Sequence, residues 1–144
     1  MSGKRLMIAL LAFTAVFAAG LWYAQFYAFY EEYTVQRVAI GGAAYDVAGF
    51  QGIDASTSPL KLRACFTLGE APDAPEYPDP TPLIAPGWFE CFDASALTAA
   101  IEAGAATAYL AERGEGTGVD RVVLRFPDGR AFMWRQLQPE FADR

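Results

Sequence analysis

Two cysteines and no histidine bound the chemistry open to this chain of 144 residues. Without histidine there is no imidazole general base, no imidazole metal ligand and no side chain that titrates near neutrality unperturbed. Ser-His-Asp and Cys-His nucleophile arrangements are excluded, as are histidine-ligated haem and zinc, and no cofactor is expected. Cys65 and Cys91 read most simply as a structural disulfide in an oxidising compartment. The alternative is a thiol pair that binds copper or shuttles electrons. Such pairs usually sit close together, as in C-x-x-C, and these two are far apart.

The remaining candidates for acid–base work are Asp46, Asp54, Glu90, Asp93 and Asp120, with Arg63 and Arg135 as cationic partners. Asp54 precedes Ser56, Thr57 and Ser58, but nothing supplies a base for those hydroxyls, and turn chemistry of Asx and Ser side chains explains the cluster better. Carboxylate pairs alone can hydrolyse glycosides, yet a domain this small offers no obvious cleft for a sugar. Glu115-Gly116-Thr117-Gly118 lacks the strand-before, helix-after order of a phosphate loop and reads as a turn. The chain is therefore expected not to be an enzyme.

Residues 69–87, GEAPDAPEYPDPTPLIAPG, concentrate proline and acid. Proline fixes φ and lacks a donor, so regular structure is not expected there. Glu70, Asp73, Glu76 and Asp79 carry four negative charges with no base among them. The plain reading is a solvated loop. The sharper one is a docking strap for a basic partner, such as a c-type cytochrome or a neighbouring subunit.

These groups are held by a chain with one dominant feature at its start. After Lys4 and Arg5, residues 6–30 contain no acid or base, and Gln25 is the one strongly polar side chain. A hydrocarbon core of about 30 Å needs about 20 apolar residues in a helix, so residues 6–30 are expected to cross a membrane. A cleaved signal peptide is the competing reading, with Ala18-Ala19-Gly20 as a passable site, but the apolar run continues well past it. The positive-inside bias places residues 1–5 in the cytoplasm and residues 31–144 on the other side, where Glu31 and Glu32 follow the span. Trp22, Tyr23, Phe26, Tyr27, Phe29 and Tyr30 crowd its outer end as an interfacial belt. Ala12, Val16, Gly20, Ala24 and Ala28 recur at spacings of four, a pattern that lets another helix approach closely.

Residues 31–144 suffice for one domain with its own core. Eleven Lys and Arg include Lys4 and Arg5, and all seventeen Asp and Glu lie beyond residue 30, so this domain carries nine bases against seventeen acids, about −8. That balance argues against nucleic acid or anionic headgroups as partners. Extended segments are expected over residues 31–40, 44–52 and 60–68, with a glycine break at Gly41-Gly42 and a polar turn over 54–59. Residues 88–92 read as an aromatic strand or core segment. Asp93 is a good N-cap for a helix over 94–103, and after Gly104 a second helical piece is expected over 105–113. Residues 119–126 and 130–137 form a hairpin around Pro127-Asp128-Gly129. In a two-residue register Arg125 would face Phe132 beside Trp134, close enough for a cation–ring contact. Residues 138–144 are expected to fray. The fold class is α+β: a transmembrane helix, an antiparallel sheet with one or two short helices, and one disulfide.

The stretches R-A-C-F-T (63–67), A-P-G-W-F-E-C-F-D-A (85–94) and R-F-P-D-G-R-A-F (125–132), behind an N-terminal anchor, resemble an uncharacterised family of short single-pass membrane proteins from alphaproteobacteria. The resemblance implies a Gram-negative inner membrane and a periplasmic domain, and nothing about catalytic residues. A histidine-kinase label borne by some members finds no support in a chain without histidine or an ATP-binding motif. The expected function is a non-catalytic accessory or assembly subunit of an inner-membrane complex, with respiratory or photosynthetic electron transfer as the setting. Its partners would be integral membrane subunits met through the helix, the bilayer itself and a basic periplasmic protein. The alternative is a stand-alone periplasmic binding or chaperone module that uses the helix as a tether.

Overall fold

In the computed structural model, which describes residues 2–142, the chain divides into two units, one ending at Tyr30 and the other beginning at Glu31. The first is a helix, α1 (Gly3–Tyr23), whose N-cap Ser2 accepts from the Arg5 amide at 3.4 Å. A π turn over Ala24–Ala28 continues it. None of these residues is buried within the chain, and the whole element is long and apolar enough to cross a membrane.

The second unit is built on a six-stranded antiparallel sheet in the order β1-β4-β5-β8-β7-β6. Its strands are β1 (Glu31–Tyr33), β4 (Ala48–Asp54), β5 (Arg63–Thr67), β6 (Thr107–Gly116), β7 (Val119–Arg125) and β8 (Arg130–Leu137). A separate hairpin, β2 (Arg37–Ile40) and β3 (Ala43–Asp46), turns at Gly41-Gly42, both with positive φ. The expected first segment thus divides between two sheets, and the expected segment over 44–52 does too, with β3 and β4 flanking Val47.

Both faces of the sheet are covered, so its strands do not alternate cleanly between buried and exposed. On one face Leu62, Ala64, Phe66, Val123 and Met133 pack with Val38 and Ile40 of the β2–β3 hairpin. The Gly41 amide hooks that hairpin to the Ala111 carbonyl at 2.9 Å. On the other face Trp134 has no exposed surface and meets Phe92 edge-on, with ring centroids 6.1 Å apart. Phe89 and Phe92 are buried, so residues 88–92 are a core segment rather than a strand. Cys65 and Cys91 are joined, with Cα atoms 6.3 Å apart, which fixes that segment to β5.

Helix α2 (Ala94–Glu102) starts as expected, with Asp93 accepting from the Ala96 amide at 3.2 Å, and Leu97 turned inward. It ends at Gly104, whose φ of 69° lets the Ala105 amide reach the Ala100 carbonyl and the Gly104 amide reach that of Ile101. The helical piece expected over 105–113 is wrong: from Thr107 onward those residues belong to β6, the longest strand among the described residues. Alanine favours helix as an isolated residue, but pairing with β7 from Thr107↔Arg125 onward outweighs that weak preference.

The β7–β8 hairpin lies where expected, in a different register. Phe126 and Arg130 close a three-residue turn in which Gly129 has φ 96°, so Arg125 stands opposite Ala131 and Leu124 opposite Phe132. Arg125 therefore does not meet Trp134; it donates to the Leu68 and Gly69 carbonyls at 2.9 and 3.2 Å. The cation–ring contact of this hairpin is Arg130 over Phe126, 4.4 Å from the centroid. The expected tail includes a short helix, α3 (Pro139–Ala142); the last two residues of that expectation lie outside the described ones.

Candidate functional site

The acidic strap over residues 69–87 is not a free loop. Pro72, Tyr77, Pro82 and Pro86 are buried beneath it, and its backbone is anchored at successive points. The Leu110 amide donates to the Pro75 carbonyl and the Tyr77 amide to that of Ala108, so the strap first bridges the outer edge of β6. Gln136 then accepts from the Thr81 amide at 2.7 Å and donates to the Asp79 carbonyl at 3.2 Å. Arg63, buried in β5, donates to the Leu83 and Ile84 carbonyls at 3.0 and 3.1 Å and to those of Leu60 and Leu62. A chain rich in proline has few amides to offer. It is therefore held mainly through its carbonyls, by side chains of the sheet beneath. Glu70, Asp73, Glu76 and Asp79 point to solvent along it.

Tyr77 reaches down from the strap and donates to Asp120 at 2.9 Å. Asp120 has no exposed surface and also accepts from the Gly114 amide and the Gln138 side chain, with Arg113 3.8 Å away. Burial pushes its carboxyl up, but those three donors and the nearby guanidinium outweigh it and hold the group below the usual range. An ionised acceptor with every site filled is a structural anchor and a poor proton donor.

A second polar network occupies the opposite face. Glu115 accepts from Arg121 at 2.5 Å and from Arg135 at 2.7 Å, and Arg135 also pairs with Asp54 at 3.2 Å. Burial pushes Glu115 up, and the two guanidiniums more than reverse it. Burial likewise works against the Arg135 charge, and Glu115 and Asp54 restore it. Tyr33 overlooks the network and is pushed up to about 12 by burial and by the Asp54 charge. A cavity of about 230 Å³ adjoins these groups, lined by Tyr33, Val38, Glu115, Arg121, Met133 and Arg135.

A third feature lies at the end of the sheet. A cleft of about 500 Å³ is lined by Glu32 and Tyr33 of β1, Phe50 and Gln51 of β4, and Trp88 and Glu90 of the segment fixed by the disulfide.

The structure joins two of the sequence candidates, Asp54 and Arg135, and separates the others. Asp46 pairs with Arg37 at the surface, Asp93 caps α2, Glu90 lies at the cleft, and Asp54 also accepts from the amide of its neighbour Ala55; the expected turn bond appears at Ser58, which accepts from the Leu60 amide at 3.2 Å. Glu115 and Arg121 complete the Asp54 network, and residue types alone do not single them out: only the β6–β7 pairing, with Glu112 opposite Arg121, brings them together. Tyr77 carries no signal in the sequence beyond being the one aromatic residue of the strap. Among the described residues no group of three or more Cys, Asp or Glu is arranged to hold a metal ion.

Along α1 and into the π turn the row Ala12, Val16, Gly20 and Ala24 is exposed or nearly so, and a Cβ on Gly20 would meet nothing within 4 Å. A step of four residues turns a helix about 40° past a full circle, so the row winds around the helix instead of running straight. The wider π turn advances less per residue and swings Ala28 back.

Residues 34–142 match a family described as "Family of unknown function (DUF6446)". No curated protein and no solved structure matches the chain.

Proposed function

The chain belongs to this family of unknown function, and from its own geometry we propose that it is a non-catalytic accessory or assembly subunit of a membrane complex. The observation that carries the reading is the helix: 26 residues from Gly3 to Ala28, apolar and nowhere buried within the chain, followed after only two residues by the first strand of the domain. So much apolar surface demands lipid or other helices. In this reading the helix crosses the bacterial inner membrane, Lys4 and Arg5 stay in the cytoplasm, and the domain from Glu31 onward is periplasmic. A disulfide in the domain suits that compartment. The small-residue row through Gly20 offers a surface to a neighbouring helix. The titratable groups support a non-catalytic role, since Asp120, Glu115 and Arg135 are held by the bonds that fasten the fold.

Mild detergent extraction followed by native electrophoresis tests the proposal. The expected result is migration well above the size of one chain, with other integral membrane proteins in the same band. A lone monomer overturns it. Exchanging residues 6–30 for an unrelated transmembrane helix separates a packed subunit from a tethered module: the subunit loses its complex, and the module keeps its function.

A further inference from the structure

The cleft of about 500 Å³ opens where the edge of the sheet makes a step. β1 is the outermost strand and ends at Tyr33, opposite Gly52, while β4 extends back to Ala48. Neighbouring residues on each strand, Glu32 with Tyr33 and Phe50 with Gln51, all line the cleft. Successive side chains point to opposite faces of a strand, so this cleft straddles the sheet edge.

Its walls are aromatic. Tyr33 and Phe50 meet with ring centroids 5.2 Å apart, and Trp88 and Phe89, 6.3 Å apart, also line it. Gly52 makes room for the first pair. A Cβ there would come within 2.6 Å of Phe50 Cε1 and 2.8 Å of Tyr33 Cε1, so any side chain would displace a ring. The charged groups of the cleft are Glu32 and Glu90, both exposed and neither in an ion pair among the described residues. No lysine or arginine lines the cleft. Arg37, Arg113, Arg121, Arg130 and Arg135 pair with acids elsewhere, and Arg63 and Arg125 serve carbonyls. The two carboxylates therefore suit a cation carried by another molecule.

We propose that the cleft receives an arginine or lysine side chain carried on an extended segment of a partner protein. The apolar stem lies along the rings of Tyr33 and Trp88, and the charge sits between Glu32 and Glu90. A segment suits the site because the outer side of β1 has no strand beside it among the described residues, leaving room for a backbone to run alongside. The inference rests on the reading of the chain as a docking subunit and names the chemistry of its partner.

The test uses the full chain in discs of zwitterionic lipid and calorimetric titration with a short acetylated, amidated peptide bearing one arginine between valines. The arginine peptide is expected to bind, more weakly as salt rises. Its citrulline counterpart, which keeps the shape and loses the charge, should bind at least about tenfold more weakly. The double substitution Glu32→Gln, Glu90→Gln should cause a similar loss without changing thermal unfolding. Equal binding of the two peptides, unchanged affinity in the double variant, or no binding at all overturns the proposal. Arginine amide binding as tightly as the peptide overturns the assignment to a partner segment. If peptide binding fails while the native complex stays intact, this inference alone falls; a lone monomer removes the reading beneath it.

Discussion

Tyr77 donates to Asp120 across 2.9 Å, joining the middle of a proline-rich strap to a carboxylate with no exposed surface. A hydrogen bond to a buried charge contributes about 1.5–3 kcal/mol. Tyr77→Phe keeps the ring and removes that donor, so it should lower the unfolding free energy by about that amount. The loss should be local as well. Exchange of the Tyr77 and Leu110 amides, which tie the strap to β6, should quicken more than exchange in β5 or β8. A uniform increase across the sheet would show that Tyr77 supports the whole domain and not the strap in particular.

The Cys65–Cys91 bridge encloses the strap, with a sequence separation of 26 residues. Closing such a loop in the unfolded chain is worth about 3.5 kcal/mol in the entropy model. The double variant Cys65→Ser, Cys91→Ser should therefore melt lower by an amount on the order of 10 °C. It should do so alike with and without reductant, whereas the parent protein should shift only when reduced. A parent protein indifferent to reductant would contradict a stabilising role for the bridge.

What could be read ahead of the structure follows from how local each signal is. The apolar helix, the Asp93 cap and the Pro127-Asp128-Gly129 hairpin rest on neighbours in sequence, and all three appear where expected. β6 differs from the helix expected there because its alanines carry a helical preference that only the distant partner β7 overrides. Arg125 stands one residue from its expected place because a left-handed Gly129 lengthens the turn from two residues to three. The expectation of a solvated strap rests on its proline content, which does report irregular backbone. Nothing local shows that Arg63 and Gln136 wait beneath it to bind its carbonyls. The edge cleft was illegible for the same reason: Glu32 and Glu90 meet only after β1 has paired with β4 and the disulfide has drawn residue 91 to β5.

Tyr33 sets an alkaline limit. Burial and the Asp54 charge push its hydroxyl up to about 12 from an ordinary value of 10. A group whose folded pKa is raised contributes stability in full below its unfolded pKa, and the contribution is lost as pH rises toward the folded value. Stability should thus fall between about pH 10 and 12, with Tyr77 adding to the fall because burial and Asp120 push it up too. Tyr33→Phe should flatten part of this slope in denaturant midpoints measured across that range. An unchanged slope would mean that Tyr33 ionises as freely in the folded protein as in the unfolded one.

Glu115 should govern the acid side. Burial alone would raise its carboxyl, but Arg121 and Arg135 hold it below the ordinary range. Two guanidiniums, with side chains only 9% and 18% exposed, depend on this one carboxylate, and Asp54 reaches Arg135 alone. A depressed folded pKa means that the unfolded chain binds the proton more readily. The contribution of Glu115 is present above the ordinary carboxylate range and disappears as pH falls through the lower, folded value. Glu115→Gln keeps the shape and removes the charge. At neutral pH it should cost about 2 kcal/mol, the scale of charge-assisted bonds at a partly exposed site. Asp54 should not compensate, because Arg121 then has only Glu112, 3.5 Å away and more than half exposed. In acid the parent loses the same interaction by protonation, so the two stability curves should converge as pH falls. Urea midpoints of the two proteins, measured from neutral to acid pH, decide the matter. A gap that stays constant would show that Glu115 acts through packing rather than through its charge.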